Sequence, residues 1–140
     1  MKAKVNYLTA LLVVLLSVVL WMGTGSAGDR EVYIEVPLGL PEVVALKDNP
    51  PTMAKIELGK MLYFDPRLSL SGTLSCATCH DPNLGYSNGA PLAVGHKHAV
   101  GGRNAPTVLN AAFATTQFWD GRAPSLEEQA GGPMTAGVEM

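Results

Sequence analysis

The feature that most constrains this chain is one pentapeptide, Cys76-Ala77-Thr78-Cys79-His80, set in "SGTLSCATCHDPNLGY", which holds both cysteines of the sequence. Two thiols three positions apart, with an imidazole directly after the second, match the Cys-x-x-Cys-His pattern of covalent haem attachment. The thiols add to the two vinyl groups and the imidazole binds the iron. The spacing has a physical basis: one short turn must present two sulfurs to neighbouring porphyrin edges and still swing the next side chain over the ring centre. A disulfide loop and a metal site are the alternatives. Exported cysteines usually oxidise to a disulfide, and a zinc site wants four ligands, for which His96 and His98 would have to serve. A thioredoxin-like redox pair would need a βαβ setting, which the sequence lacks.

Export is itself legible. Lys2 and Lys4 precede an apolar run from Leu8 to Met22, and Gly25, Ser26 and Ala27 follow as a small-residue cleavage pattern. Residues 1–27 read as a cleavable signal peptide and place the protein in the periplasm. The run of about 15 apolar residues is short for a bilayer span, which needs roughly 20, so a retained membrane anchor is the weaker reading. A net charge of -2 with 47% hydrophobic residues suits one globular domain with a modest core and excludes a basic, nucleic-acid-binding chain.

Residues 28–51 are broken by Pro and Gly and read as an extended arm laid over a surface. From residue 52 to 140 the pattern predicts an all-α domain with long Gly-rich loops. Thr52 caps a helix through "MAKIELGKMLYF" that Asp65 and Pro66 stop. The haem motif follows, then an irregular connection over 83–103. Asn104 is expected to cap a short helix, "APTVLNAAF", with Pro106 in its first turn. Ser125 and Glu128 form the capping box of a third helix, "LEEQA", expected to end at Gly131 and Gly132.

The blocks "LGKMLYFDPRLSLSGTLSCATCH", "VGHKH", "GGRNAPTVLNAAF", "FWDGRAPSLEEQAGGP" and "GVEM" together resemble the bacterial di-haem cytochrome c peroxidases, in that family's order. The Arg-Asn-x-Pro-Thr and Phe-Trp-Asp-Gly-Arg blocks are much more specific than the haem motif alone. The resemblance implies two cytochrome c-like helical domains with one haem c each. The N-terminal haem meets hydrogen peroxide, and the C-terminal haem takes electrons from a small periplasmic cytochrome c or cupredoxin. This chain matches the N-terminal, peroxidatic half, with one haem motif and no second haem domain, and reads as a fragment of a longer protein whose full-length form is a homodimer.

Site residues follow from the resemblance one position at a time. Cys76, Cys79 and His80 match the attachment and proximal-ligand positions. His96 matches the distal histidine, which caps the resting oxidised iron and leaves when the partner haem is reduced; on sequence alone it would be a solvated loop histidine. Glu139 matches the catalytic glutamate, and Gln129, Pro133 and Phe118 the lining of the peroxide pocket. Heterolysis of a peroxide needs a group that takes a proton from the near oxygen and returns it to the far one, which a partly desolvated carboxylate does. Trp119 matches the tryptophan between the two haems, with a large core aromatic as the plainer reading. Asn104 matches one ligand of a calcium site that needs six to eight oxygens and is therefore incomplete here. Arg103 and Arg122 are candidates for haem propionates or ordinary surface arginines.

Two function classes stand side by side. The first is a haem enzyme that reduces hydrogen peroxide to water. The second is a mono-haem electron-transfer cytochrome, its iron closed by His or by Met53, Met61 or Met134. His96 and Glu139 around one haem favour the enzyme. A related branch oxidises tryptophans of a partner protein on the same scaffold, and is expected to resemble this chain less.

Overall fold

The computed structural model describes residues 30–43 and 48–140. The expected signal peptide over residues 1–27 and the arm residues 28–29 and 44–47 lie outside the described residues. The first long helix, α1, spans Met53–Phe64 as expected. Thr52 Oγ1 accepts the Lys55 N–H at 3.3 Å, which satisfies one of the amide donors that a helix start leaves unpaired. The helix ends at Asp65, whose extended backbone is what a residue before proline prefers. Asp65 then caps the 3-10 turn Pro66–Leu68 by accepting the Arg67 N–H at 2.9 Å. The haem motif itself forms the one-turn helix α2, Cys76–Cys79, against which α1 packs. Helix α3 spans Leu126–Thr135.

Among the described residues there is no sheet, only isolated bridges. Three of these, Asp81 with Ser87, Val94 with Val100 and Gln117 with Ala123, pinch off short loops. Each loop carries residues in the left-handed region: Gly85 and Tyr86, Lys97 and His98, and Phe118 and Gly121. The arm is extended and joins the domain where Val32 N–H donates to the Pro51 carbonyl at 2.8 Å. Farther along, Asn49 links the helices: its amide donates to Glu127 Oε1 at 3.0 Å and its carbonyl oxygen accepts from Lys55 Nζ at 2.9 Å.

Two helix expectations need correction. Residues 104–108 do not start a helix; they have no regular secondary structure, and only Ala111–Phe113 makes a 3-10 turn. Pro106 biases Ala105 away from the helical region, and the backbone of this stretch bonds elsewhere. Ser87 Oγ donates to the Ala105 carbonyl at 2.8 Å, and Val108 N–H donates to the Tyr86 carbonyl at 3.3 Å. Helix α3, conversely, does not end at Gly131 and Gly132. It continues through Pro133 to Thr135; Thr135 Oγ1 donates to the Gly131 and Gly132 carbonyls at 2.9 and 3.0 Å, and Ala136 N–H also donates to the Gly132 carbonyl at 3.0 Å. A glycine in a helix costs about 1 kcal/mol and does not by itself stop it. Nor does the expected modest core form within this chain: Ala105, Ala123 and Met140 are the buried apolar side chains among the described residues. Helices bury apolar surface by interlocking with other helices, whereas the main helix contact of α1 among the described residues is with the single turn of α2, and Met61 is left 63% exposed.

Candidate functional site

The centre of the site is the α2 turn. Ser75 N–H donates to Thr78 Oγ1 at 3.0 Å, and His80 N–H closes the turn on the Cys76 carbonyl at 2.9 Å. Both thiols are free and half-buried. Burial pushes both upward from the usual thiol range, and Cys79 is raised further by the Glu139 carboxylate and by Cys76. The raised values favour the protonated thiols, and in this structure the two sulfurs are not joined to each other.

His80 is fixed from several sides. Its carbonyl accepts the Tyr63 hydroxyl from α1. Its Nδ1 faces the Pro106 carbonyl at 2.8 Å and the Tyr86 carbonyl at 3.3 Å. A carbonyl only accepts, so Nδ1 carries the proton and Nε2 keeps its lone pair for a metal. Two unoxidised thiols on one turn beside an imidazole held by its far nitrogen are the donor set that covalent haem requires, and the residues present fit that group. The stretch "RNAPT" contributes through its backbone: the Pro106 carbonyl reaches His80, while Thr107 Oγ1 donates to the Gly85 carbonyl at 2.6 Å.

His96 lies at the tip of the loop from Val94 to Val100, beside an open cleft of about 520 Å³ that Leu74, Thr78, Val94 and Lys97 also line. Its Nδ1 is buried and has no hydrogen-bond partner, an arrangement uncommon enough to call for a functional explanation. The same loop meets the turn that follows α3: His96 N–H donates to the Val138 carbonyl at 3.1 Å. The structure thus brings together His96, Glu139 and Cys79, whose thiol lies 3.7 Å from the Val94 carbonyl. Glu139 itself is exposed.

Gln129 is half-buried on α3, and Phe118 reaches the same helix at Gly132. The Phe118 ring also carries the Arg122 guanidinium 3.5 Å from its centroid. Trp119 is 61% exposed, and its indole N–H donates to the Asn104 carbonyl at 3.1 Å. The plainer reading of Trp119 as a core aromatic does not hold within this chain. Arg103 and Arg122 both pair with Asp120, at 3.3 and 2.8 Å. Sequence reasoning passed over Tyr63, Gly95 and Asp120; Asp120 alone had a local signal, two positions before Arg122 in the Phe-Trp-Asp-Gly-Arg block.

Comparison with known proteins gives the family. The sequence profile of the family described as di-haem cytochrome c peroxidase matches residues 53–140. The cytochrome c551 peroxidase of Pseudomonas aeruginosa is 52% identical over 102 residues, covering 72% of this chain and 30% of that protein. The methylamine utilization protein MauG of Methylorubrum extorquens is 56% identical over 94 residues, covering 67% of this chain and 27% of that protein. In structure, a MauG-like protein associated with microbial copper homeostasis superposes with a TM-score of 0.72 at 31% identity, over 78% of this chain and 35% of its own. The chain therefore spans about a third or less of the length of these relatives. The MauG identity corrects one expectation: members not named as peroxidases resemble this chain as strongly as the peroxidases do.

Proposed function

Because the chain belongs to the di-haem cytochrome c peroxidase family, we propose that it is the peroxidatic part of a periplasmic enzyme that reduces hydrogen peroxide to water. The observation that carries this reading is the junction of the His96 loop with the Glu139 turn, close to the Cys79 thiol. An electron carrier needs no carboxylate there. Haem would be held by Cys76, Cys79 and His80, and would supply the redox-active iron at which the peroxide bond is broken.

The chain's own residues do the rest. His80, oriented by Pro106 and Tyr86 and anchored by Tyr63, would be one protein ligand of the group. His96, whose buried Nδ1 has no hydrogen-bond partner in the protein, would be the second and would give way to peroxide. Glu139 takes the proton from one peroxide oxygen and gives it to the other, so that the leaving oxygen departs as water. Turnover consumes two electrons and two further protons and releases two waters in all. The electrons come from a small cytochrome c or cupredoxin by way of a second haem domain, past Trp119. Asn104 contributes one oxygen to a calcium site completed by that domain, and the working protein is a homodimer.

The test is Glu139→Gln in the full-length, haem-loaded protein. Loss of one acid–base group lowers peroxide turnover by about a hundredfold or more, while haem stays on the denatured chain. Near-normal turnover would end the assignment.

A further inference from the structure

Gly95 has no room for a side chain. A Cβ at this position would lie 2.2 Å from the Val138 carbonyl oxygen, 2.8 Å from Glu139 Cα and 2.9 Å from the Glu139 carbonyl oxygen. Its φ is -109°, outside the left-handed region, so glycine is required here by the close approach and not by a positive φ. Gly101, near the other end of the loop, is different: a Cβ there would meet its nearest atom, the Ala93 carbonyl oxygen, at 3.5 Å, an ordinary contact.

The two pieces that meet at Gly95 are each closed by their own hydrogen bonds. In the loop, Gly95 N–H donates to the Ala99 carbonyl at 2.8 Å and Ala99 N–H to the His96 carbonyl at 3.0 Å. In the turn, Glu139 N–H donates to the Ala136 carbonyl at 2.9 Å and Met140 N–H to the same oxygen at 3.3 Å. What joins loop to turn is the His96 N–H bond to the Val138 carbonyl at 3.1 Å, directly beside Gly95.

We infer that Gly95 is a positioning residue for Glu139: it lets the loop bearing His96 and the turn bearing Glu139 touch backbone to backbone, so that the two shift as one unit. This rests on the roles given to His96 and Glu139 above. When His96 moves aside, the Val138 carbonyl and the adjoining Glu139 go with it, and the carboxylate is re-aimed in the same motion that opens the site. A side chain at 95 pushes the turn away and breaks that link while leaving the α2 turn, and hence haem attachment, untouched.

Hydrogen exchange on the full-length, haem-loaded protein reads the link without reference to activity. In Gly95→Ala, the segments 94–100 and 136–140 lose protection together, whereas Gly102→Ala, whose Cβ meets nothing within 4 Å, leaves both unchanged. Faster exchange in 94–100 with 136–140 unaffected overturns the inference. Turnover gives a second reading. Gly95→Ala lowers kcat by about a hundredfold, the usual consequence of misplacing a reacting group by an ångström, with little change in KM. It adds no further loss in a Glu139→Gln background; losses that multiply there mean that Gly95 acts by another route and overturn the inference. If Glu139→Gln alone turns over peroxide normally, the proposed function falls, and the exchange result still decides the mechanical link. Should Gly95→Ala fail to retain haem, exchange of the unsubstituted protein in rising denaturant replaces it: one shared opening for both segments supports the link, and separate openings refute it.

Discussion

The Nδ1 of His80 lies 2.8 Å from the carbonyl oxygen of Pro106, 26 positions along the chain. A helix starting at Asn104 would turn these carbonyls along its own axis, whereas the non-helical segment directs them to the imidazole and to the loop from Asp81 to Ser87. The tautomer left on His80 is the one that presents Nε2 to a metal.

Tyr63 holds the same residue from the opposite side, through its hydroxyl to the His80 carbonyl. Burial first, and then negative charge on Cys76, Tyr86 and Asp81, push the Tyr63 phenol up to about 12. In the folded protein the phenol keeps its proton to about pH 12, while an unfolded chain releases it near 10. The folded state therefore binds more protons between these limits, and stability falls as pH rises through them. Below pH 10 the contribution is fully present. Tyr63→Phe is expected to cost about 1 kcal/mol at neutral pH by leaving the His80 carbonyl without its donor, and to flatten the alkaline part of the stability profile. Urea unfolding of the haem-loaded protein between pH 8 and 11 checks both; an unchanged alkaline slope refutes the assignment.

The local signals in the sequence were reliable where the chain bonds to itself nearby. Thr52, Asp65, the Cys76–His80 turn and Ser125 all make contacts within a few positions, and each lies where the residue pattern places it. The errors came where distant partners decide. Asn104 looks like a helix cap, but its carbonyl is taken by Trp119 and its neighbours by His80 and Ser87. Gly131 and Gly132 look like a helix stop, but Thr135 satisfies their carbonyls. Tyr63 and Gly95 act on residues 17 and more than 40 positions away, and no local pattern announces a contact of that kind. The proximity of His96 to Glu139 followed from the family resemblance and not from spacing.

Trp119 offers a separation of roles. The residue is 61% exposed, and its indole N–H donates to the Asn104 carbonyl. Replacing it by Phe keeps an aromatic ring and removes that donor, so the stability change should be small, about 1 kcal/mol or less for one exposed hydrogen bond. If electrons pass by way of this indole, rapid-mixing measurements on the two-haem protein will show slower transfer between haems in Trp119→Phe, with the melting temperature barely moved. An unchanged transfer rate retires Trp119 as a relay.

The paired glycines of α3 make the last prediction, and they should respond in opposite directions. A Cβ on Gly131 meets nothing within 4 Å, so Gly131→Ala keeps the helix's gain in propensity and stabilises by up to about 1 kcal/mol. On Gly132 the new atom would lie 3.0 Å from Phe118 Cζ. Phe118 cannot retreat freely, because its backbone sits at a φ of 66° and its ring lies under the Arg122 guanidinium, itself bonded to Asp120. Overpacking of this kind costs about 1–3 kcal/mol, which outweighs the propensity gain. Thermal unfolding should therefore place Gly131→Ala above the unsubstituted protein and Gly132→Ala below it. Equal stabilisation by the two alanines would mean that the Phe118 ring yields, and that α3 does not hold it in place.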